Sequence, residues 1–92
     1  MEVVMSQVRY FGADWCPDCR RSKALLNSFN VQFEENDVEA SKDNADEAEK
    51  LSGRKNIPVI AFEDGEVLVE PSDRHLHTAL VLRGIIPEKP SN

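Results

Sequence analysis

Two cysteines three positions apart, Cys16 and Cys19, are the residues of this sequence best suited to covalent chemistry. They lie in the stretch Trp15-Cys16-Pro17-Asp18-Cys19-Arg20-Arg21, which also holds the only tryptophan. A thiolate attacks a disulfide sulfur and a thiol hardly does, and a free cysteine of pKa about 8.5 is only a few per cent ionised at neutral pH. Unpaired N–H groups at a helix start stabilise S⁻, and Cys-x-x-Cys motifs placed there reach pKa values of about 3.5–7. The flanking sequence predicts such a start. A β-type run over 3–11 comes before the motif and a helix-type run over 20–29 comes after it. Pro17 suits the first helical turn, where its missing N–H would have had no partner. Cys16 is therefore the expected nucleophile. Cys19, one turn further in and more buried, is expected to resolve a mixed disulfide. Arg20, four residues after Cys16, is expected to reach back towards it, while Asp18 competes for the same helix dipole.

The residues alone leave three other readings of the pair open: a structural disulfide closing a small loop, a zinc site, or two packed and inert cysteines. Zinc takes about four ligands. His75 and His77 could be offered, but two positions apart on one helix they point in different directions.

The rest of the composition bounds the function. Ninety-two residues make one domain, and 17 acids against 11 bases give a net charge of −6, which disfavours nucleic acid and anionic membranes as partners. No apolar run approaches the ~20 residues of a membrane span. Residues 1–6 lack the basic and apolar regions of a secretory signal. A cytoplasmic monomer is expected, and in that compartment paired cysteines are redox-active or metal-bound rather than structural.

The elements that must position the motif follow in order. A strand is expected over 6–11, with Val8 and Tyr10 alternating against Arg9 and Phe11. Gly12-Ala13-Asp14 reads as a turn. The first helix carries Cys19, Leu25, Leu26 and Phe29 on one face and stops at Asn30. A second strand is expected over 31–34. An acidic helix over 42–52 has a narrow stripe of Ala45, Ala48 and Leu51, ends at Gly53, and carries its carboxylates as a solvated face. Residues 59–62 form a third strand, Asp64-Gly65 a hairpin turn, and residues 67–69 the return strand. Pro71 or Ser72 opens a last helix, with Leu76, Ala79 and Leu80 inward and Gly84 beyond its end. The order β-α-β-α-β-β-α, with a right-handed parallel crossover at its start, predicts an α/β fold. It is a four-stranded mixed sheet with helices on both faces, close to the thioredoxin architecture. One domain over 1–86 and a flexible tail over 87–92 are expected.

Trp15-Cys16-Pro17-Asp18-Cys19, Asn56-Ile57-Pro58, Phe62-Glu63-Asp64-Gly65 and Ser72-Asp73 resemble the successive landmarks of the glutaredoxins, in that family's order and spacing. The resemblance implies a thioredoxin fold and a cis Ile57-Pro58 bond packed against the cysteines. It also implies an enzyme that reduces protein disulfides and mixed disulfides with a small thiol. By position, Lys55 matches a base that pairs with a glutathione carboxylate, and the Ile57 backbone matches one that hydrogen-bonds the thiol's peptide. Ser72 and Asp73 match the pair that holds its γ-glutamyl end. Trp15 and Pro58 would wall the cleft. The sequence departs from the family at Ala13, where a lysine is usual, and at Asp18, where an aromatic residue is usual. It departs again at Val69-Glu70-Pro71, where two glycines and a cysteine are usual. Glu70 brings bulk and negative charge to a place where glycine lets a ligand approach the backbone. The stretch from Phe62-Glu63-Asp64-Gly65 through Leu68, Pro71 and Ser72, together with Trp15-Cys16, is more similar to the mycoredoxin-like branch, which uses mycothiol or draws electrons from other reductants. The implied partners are a small thiol (glutathione or mycothiol), disulfide-containing proteins and a disulfide reductase. No organic cofactor or metal is expected, because the dithiol carries the electrons. Two alternatives from other classes are an iron–sulfur cluster carrier bridging two protomers through Cys16, and a binding module switched by its disulfide.

Overall fold

A computed structural model describes residues 7–87. The elements are β1 (Val8–Gly12), α1 (Pro17–Ser28), β2 (Phe33–Asp37), α2 (Lys42–Ser52), β3 (Val59–Phe62), β4 (Val67–Val69) and α3 (Asp73–Leu82). The sheet order is β2-β1-β3-β4. β1 runs parallel to β2 and antiparallel to β3, and β3 runs antiparallel to β4. This is the expected thioredoxin arrangement.

Strand alternation sorts the apolar residues onto two faces. Val8 and Tyr10 of β1 and Ile60 and Phe62 of β3 point to one side. There they meet Cys19 and Leu26 of α1 and Leu76, Ala79 and Leu80 of α3. Phe11 and Val59 point to the other side, where Ala48 of α2 covers them with Val38, Leu51 and Val67 at the margin. The first face holds most of the core. The narrow stripe of α2 accounts for the smaller second one, and the carboxylates of α2 stay outward as expected. Glu47 is one exception, reaching Arg9 of β1 at 3.5 Å.

The register brings four chain ends together. Gly12 pairs with Asp37 at the end of β2, Phe11 with Val59 at the start of β3, and Val59 with Val69 at the end of β4. The segments that follow β1, precede β3 and follow β4 therefore all emerge at one end of the sheet. These are the Cys-x-x-Cys segment, Asn56-Ile57-Pro58 and Glu70-Pro71-Ser72.

The limits of β1 and β2 differ from the sequence reading, and β2 runs on past the expected residue 34 to Asp37 because Asn36 and Asp37 pair with Phe11 and Gly12. β1 includes Gly12, which was expected in a turn; its carbonyl accepts the Val38 N–H at 3.0 Å, and the turn falls on Asp14-Trp15. Ser6, the expected first residue of that strand, lies outside the described residues. β2 starts at Phe33 rather than at residue 31. The Val31 N–H is spent on closing α1, donating to Leu26 O at 2.9 Å after Asn30 turns left-handed at φ 57°. Pairing with β1 can begin only beyond that closure. The expected tail over 87–92 lies outside the described residues except for Pro87. Among the described residues no helix is long and apolar enough to cross a membrane.

The β3–β4 hairpin is tied to α3 by Arg83. Its guanidinium lies over the Phe62 ring, 3.9 Å from the centroid, and bonds both Asp64 oxygens at 2.9 and 3.2 Å. It also bonds Glu66 and the Ala79 carbonyl. These bonds hold the Asp64 carboxyl below the ordinary carboxylate range. Arg83→Ala is expected to lower stability by about 1–2 kcal/mol, mostly through lost packing on Phe62. Urea unfolding checks this, and an unchanged midpoint would show the contact to be idle.

Candidate active site

Cys16 is the N-cap of α1. Its backbone is extended, at φ −87° and ψ 117°, its N–H donates to Ala13 O at 3.2 Å, and its carbonyl accepts the Arg20 N–H at 3.0 Å. Pro17 fills the first helical position. The Cys16 Sγ accepts the backbone N–H of Cys19 at 3.3 Å, so sulfur takes the capping role that an oxygen usually fills. A negative charge on that sulfur would face the N–H groups at the helix start. On its other side the Cys16 thiol donates to Ile57 O across a long 3.9 Å contact.

Cys19 lies beneath, fully buried, where Cys16 is 7% exposed. Both are free thiols. Burial pushes the Cys19 thiol well above its ordinary value of 9.0, and its contact with the Cys16 sulfur adds to the rise, while the Ala13 amide opposes it. Tyr10 packs against the same turn and donates its hydroxyl to Cys19 O at 3.3 Å. Burial raises the tyrosine too, with Cys19 contributing. Gly12 leaves room for this cluster: a Cβ there would run into the Tyr10 ring and come within 3.0 Å of Cys19 Sγ.

The Ile57-Pro58 bond is cis, as the resemblance implied, and Pro58 is fully buried. The Pro58 carbonyl accepts the Glu70 N–H at 2.9 Å, and the Asn56 amide donates to Glu70 Oε1 at 3.0 Å. The segments before β3 and after β4 are thereby joined beside Cys16.

The structure divides the remaining sequence-derived candidates. Trp15, Lys55 and Ile57 line one cavity of about 330 Å³, whose far wall is α2 with Ala45, Ala48 and Glu49. Trp15 is 63% exposed and stands at its edge. Ser72 and Asp73 do not line it. Ser72 caps α3, its hydroxyl accepting the His75 N–H at 3.1 Å. Asp73 is paired with Arg21 at 3.2 Å, and the same guanidinium holds Asp18 at 2.9 Å. Arg20 does not turn back to Cys16 as expected; it donates to Asp14 O at 2.9 Å. Asp14 lies before the helix start, and its carbonyl offers a direct bond that the Cys16 sulfur does not. His77 packs against Phe29 with the ring planes tilted by 57° and the centroids 5.4 Å apart. Sequence reasoning missed Tyr10, Gly12 and the Asn56–Glu70 bond. Tyr10 read only as an inward strand residue and Gly12 only as a turn, and no local pattern links position 56 to position 70.

Residues 8–68 match the family model described as Glutaredoxin. This chain belongs to the glutaredoxin family. It is 38% identical over 56 residues to glutaredoxin 3 of Escherichia coli, covering 61% of this chain and 68% of that protein. A Mycobacterium tuberculosis protein named as a glutaredoxin is 25% identical over 80 residues, covering 86% of this chain and 95% of its own. The crystal structure of a glutaredoxin from Archaeoglobus fulgidus superposes with a TM-score of 0.71 at 22% identity, over 80% of this chain and 85% of that one. Glutaredoxins are thiol–disulfide oxidoreductases, and this chain is an enzyme of that class.

Above the ordinary thiol value of 9.0 the unfolded chain releases the Cys19 proton while the folded chain retains it. The folded state then binds more protons than the unfolded one, so stability falls as pH rises. From the ordinary tyrosine value of 10.0 upward, Tyr10 acts in the same direction. Urea midpoints of the reduced protein are therefore expected to drop steadily from pH 9 upward, and less steeply in Tyr10→Phe. Midpoints independent of pH across that window would contradict the burial of Cys19 and Tyr10.

Proposed function

We propose that this glutaredoxin-family enzyme reduces protein disulfides and mixed disulfides through Cys16-Pro17-Asp18-Cys19, with a small thiol returning the electrons. The observation that carries this reading is the capping bond, Cys19 N–H to Cys16 Sγ at 3.3 Å, with the Cys19 thiol fully buried beneath it. The two sulfurs have unequal roles for a physical reason. Cys16 faces the helix N–H groups and the cleft, where a sulfur anion is stabilised and a substrate can arrive. Burial keeps Cys19 protonated until a disulfide forms above it.

The Cys16 thiolate attacks one sulfur of the target disulfide, forming a Cys16–substrate mixed disulfide and expelling the other sulfur as a thiolate, which takes up a proton. Cys19 then loses its proton and attacks the Cys16 sulfur. The Cys16–Cys19 disulfide forms and the second substrate thiol leaves. The dithiol has given up two electrons and the substrate has gained them. Two small-thiol molecules, or a disulfide reductase, restore the dithiol. Where the target is a mixed disulfide with the small thiol, Cys16 can take over that thiol and a second thiol molecule releases it, so Cys19 is dispensable.

Trp15 and Ile57 wall the cleft, Pro58 lies buried behind them rather than in the wall as expected, and the Ile57 backbone would pair with an extended ligand. Lys55 offers a charge to one carboxylate of a co-substrate such as glutathione or mycothiol. Ser72 and Asp73 stand at the start of α3, whose N–H groups suit an anion, and the Asp73 carboxylate would exchange Arg21 for an ammonium group of the ligand. The setting is cytoplasmic, where such thiols stay reduced.

Cys16→Ser is expected to abolish turnover of both a protein disulfide and 2-hydroxyethyl disulfide in an assay coupled to a small thiol and its reductase. Cys19→Ser is expected to keep the small-disulfide reaction within about tenfold of wild type and to lose the protein-disulfide reaction. Activity retained in Cys16→Ser would reverse the assignment.

A further inference from the structure

The Tyr10 hydroxyl is a buried polar group that the packing of the core does not require. Its ring enters the core from β1, 2% exposed, and stands edge-on to Phe33 with the centroids 5.9 Å apart. A phenylalanine would fill the same space without taking a hydroxyl out of water. That transfer costs free energy unless a good hydrogen bond replaces the one to water. The bond Tyr10 makes is a poor replacement. Its hydroxyl donates to Cys19 O at 3.3 Å, where an O–H···O bond ordinarily measures about 2.7–2.8 Å.

A second acceptor lies beside the first. An added Cβ on Gly12 would sit 2.4 Å from the Tyr10 oxygen and 3.0 Å from Cys19 Sγ, so the two atoms border one small space that glycine leaves open. As a thiol, that sulfur is a weak acceptor. It becomes a strong one when Cys19 ionises, because hydrogen bonds to an anion are about twice as strong as neutral ones and a low-dielectric interior strengthens them further. Burial raises the Cys19 thiol most, and the Ala13 amide and the Tyr10 hydroxyl pull it back down. Cys19 is fully buried, so a donor for its thiolate has to come from the protein.

Resting on the dithiol mechanism above, we propose that Tyr10 assists the resolving step: its hydroxyl turns from the Cys19 carbonyl to the Cys19 sulfur and donates to the thiolate as it forms. Cys19 Sγ then bonds to Cys16 Sγ, and the bond from Cys16 Sγ to the substrate sulfur breaks with its electron pair going to that sulfur. The proton lost by Cys19 ends on the departing substrate thiol. Tyr10 keeps its own proton throughout.

Rapid mixing of the reduced full chain with excess dithiobis(nitrobenzoate) separates the two cysteines. Attack by Cys16 releases one coloured nitrothiobenzoate, and attack by Cys19 on the resulting mixed disulfide releases the second. Near neutral pH, Tyr10→Phe is expected to lower the ratio of the second rate constant to the first about tenfold, the scale of one hydrogen bond to an ionised group. Tyr10 is the only tyrosine, so growth on ring-fluorinated tyrosine changes this residue alone. Fluorine makes the phenol a stronger donor with little change of shape, and the same ratio is expected to rise above that of the unlabelled protein. A ring that only packs would give wild-type ratios in both. That result overturns the proposal, and so does a fall in Tyr10→Phe without a rise in the fluorinated chain. Absence of a second phase in wild type is a different result, which overturns the dithiol mechanism and the proposal with it.

Discussion

The antiparallel pairing of β1 with β3 is the constraint on which the site depends. Phe11 opposite Val59 fixes where each strand stops, and so fixes which loops meet. The chain leaving β1 must reach α1 through Ala13 to Cys16, and the chain entering β3 must arrive through Ile57 and Pro58 at the same end of the sheet. A shift of one residue would exchange Tyr10 with Phe11 between the two faces. It would take Tyr10 away from Cys19 and Phe11 away from Ala48, so both layers of helices resist it.

Within that frame the motif is more than a helix start with two thiols. Sulfur serves as the cap, and the donor it accepts is the backbone of the second cysteine. The two free thiols are thus held at one turn's spacing. The packing beneath them is tight, since Gly12 admits no Cβ and the Tyr10 hydroxyl closes on Cys19 O. The same turn leaves Cys16 at the helix start and sinks Cys19 fully into the core, and that burial raises the Cys19 thiol.

Charge near the cleft is disposed by tertiary contacts rather than by helix position. Arg20 and Arg21 follow the motif directly, yet neither is bonded to Cys16. Arg20 secures the Asp14 carbonyl, and Arg21 joins the first turn of α1 to the first turn of α3 through Asp18 and Asp73. These exposed pairs add little to stability. Their consequence is positional, because they commit both arginines to partners other than the Cys16 sulfur.

The sequence by itself determined the elements, the chemistry and the family. Periodicity placed α2, β3 and β4 at their observed limits, because caps at Gly53 and Asp64-Gly65 are local signals. The Cys-x-x-Cys before a helix named the thiol chemistry, because a helix start acts on whatever side chain caps it. The cis bond at Ile57-Pro58 came from resemblance alone. Tertiary structure decided the start of β2, since Val31 was needed to close α1. It decided that Gly12 belongs to a strand and makes room for Cys19, and that the arginines serve Asp14, Asp18 and Asp73. It also brought Glu70 to Asn56, a contact between residues fourteen positions apart. Local sequence carries turns, caps and periodicity. Which polar side chain finds which partner depends on strand register, and register is a property of the assembled sheet.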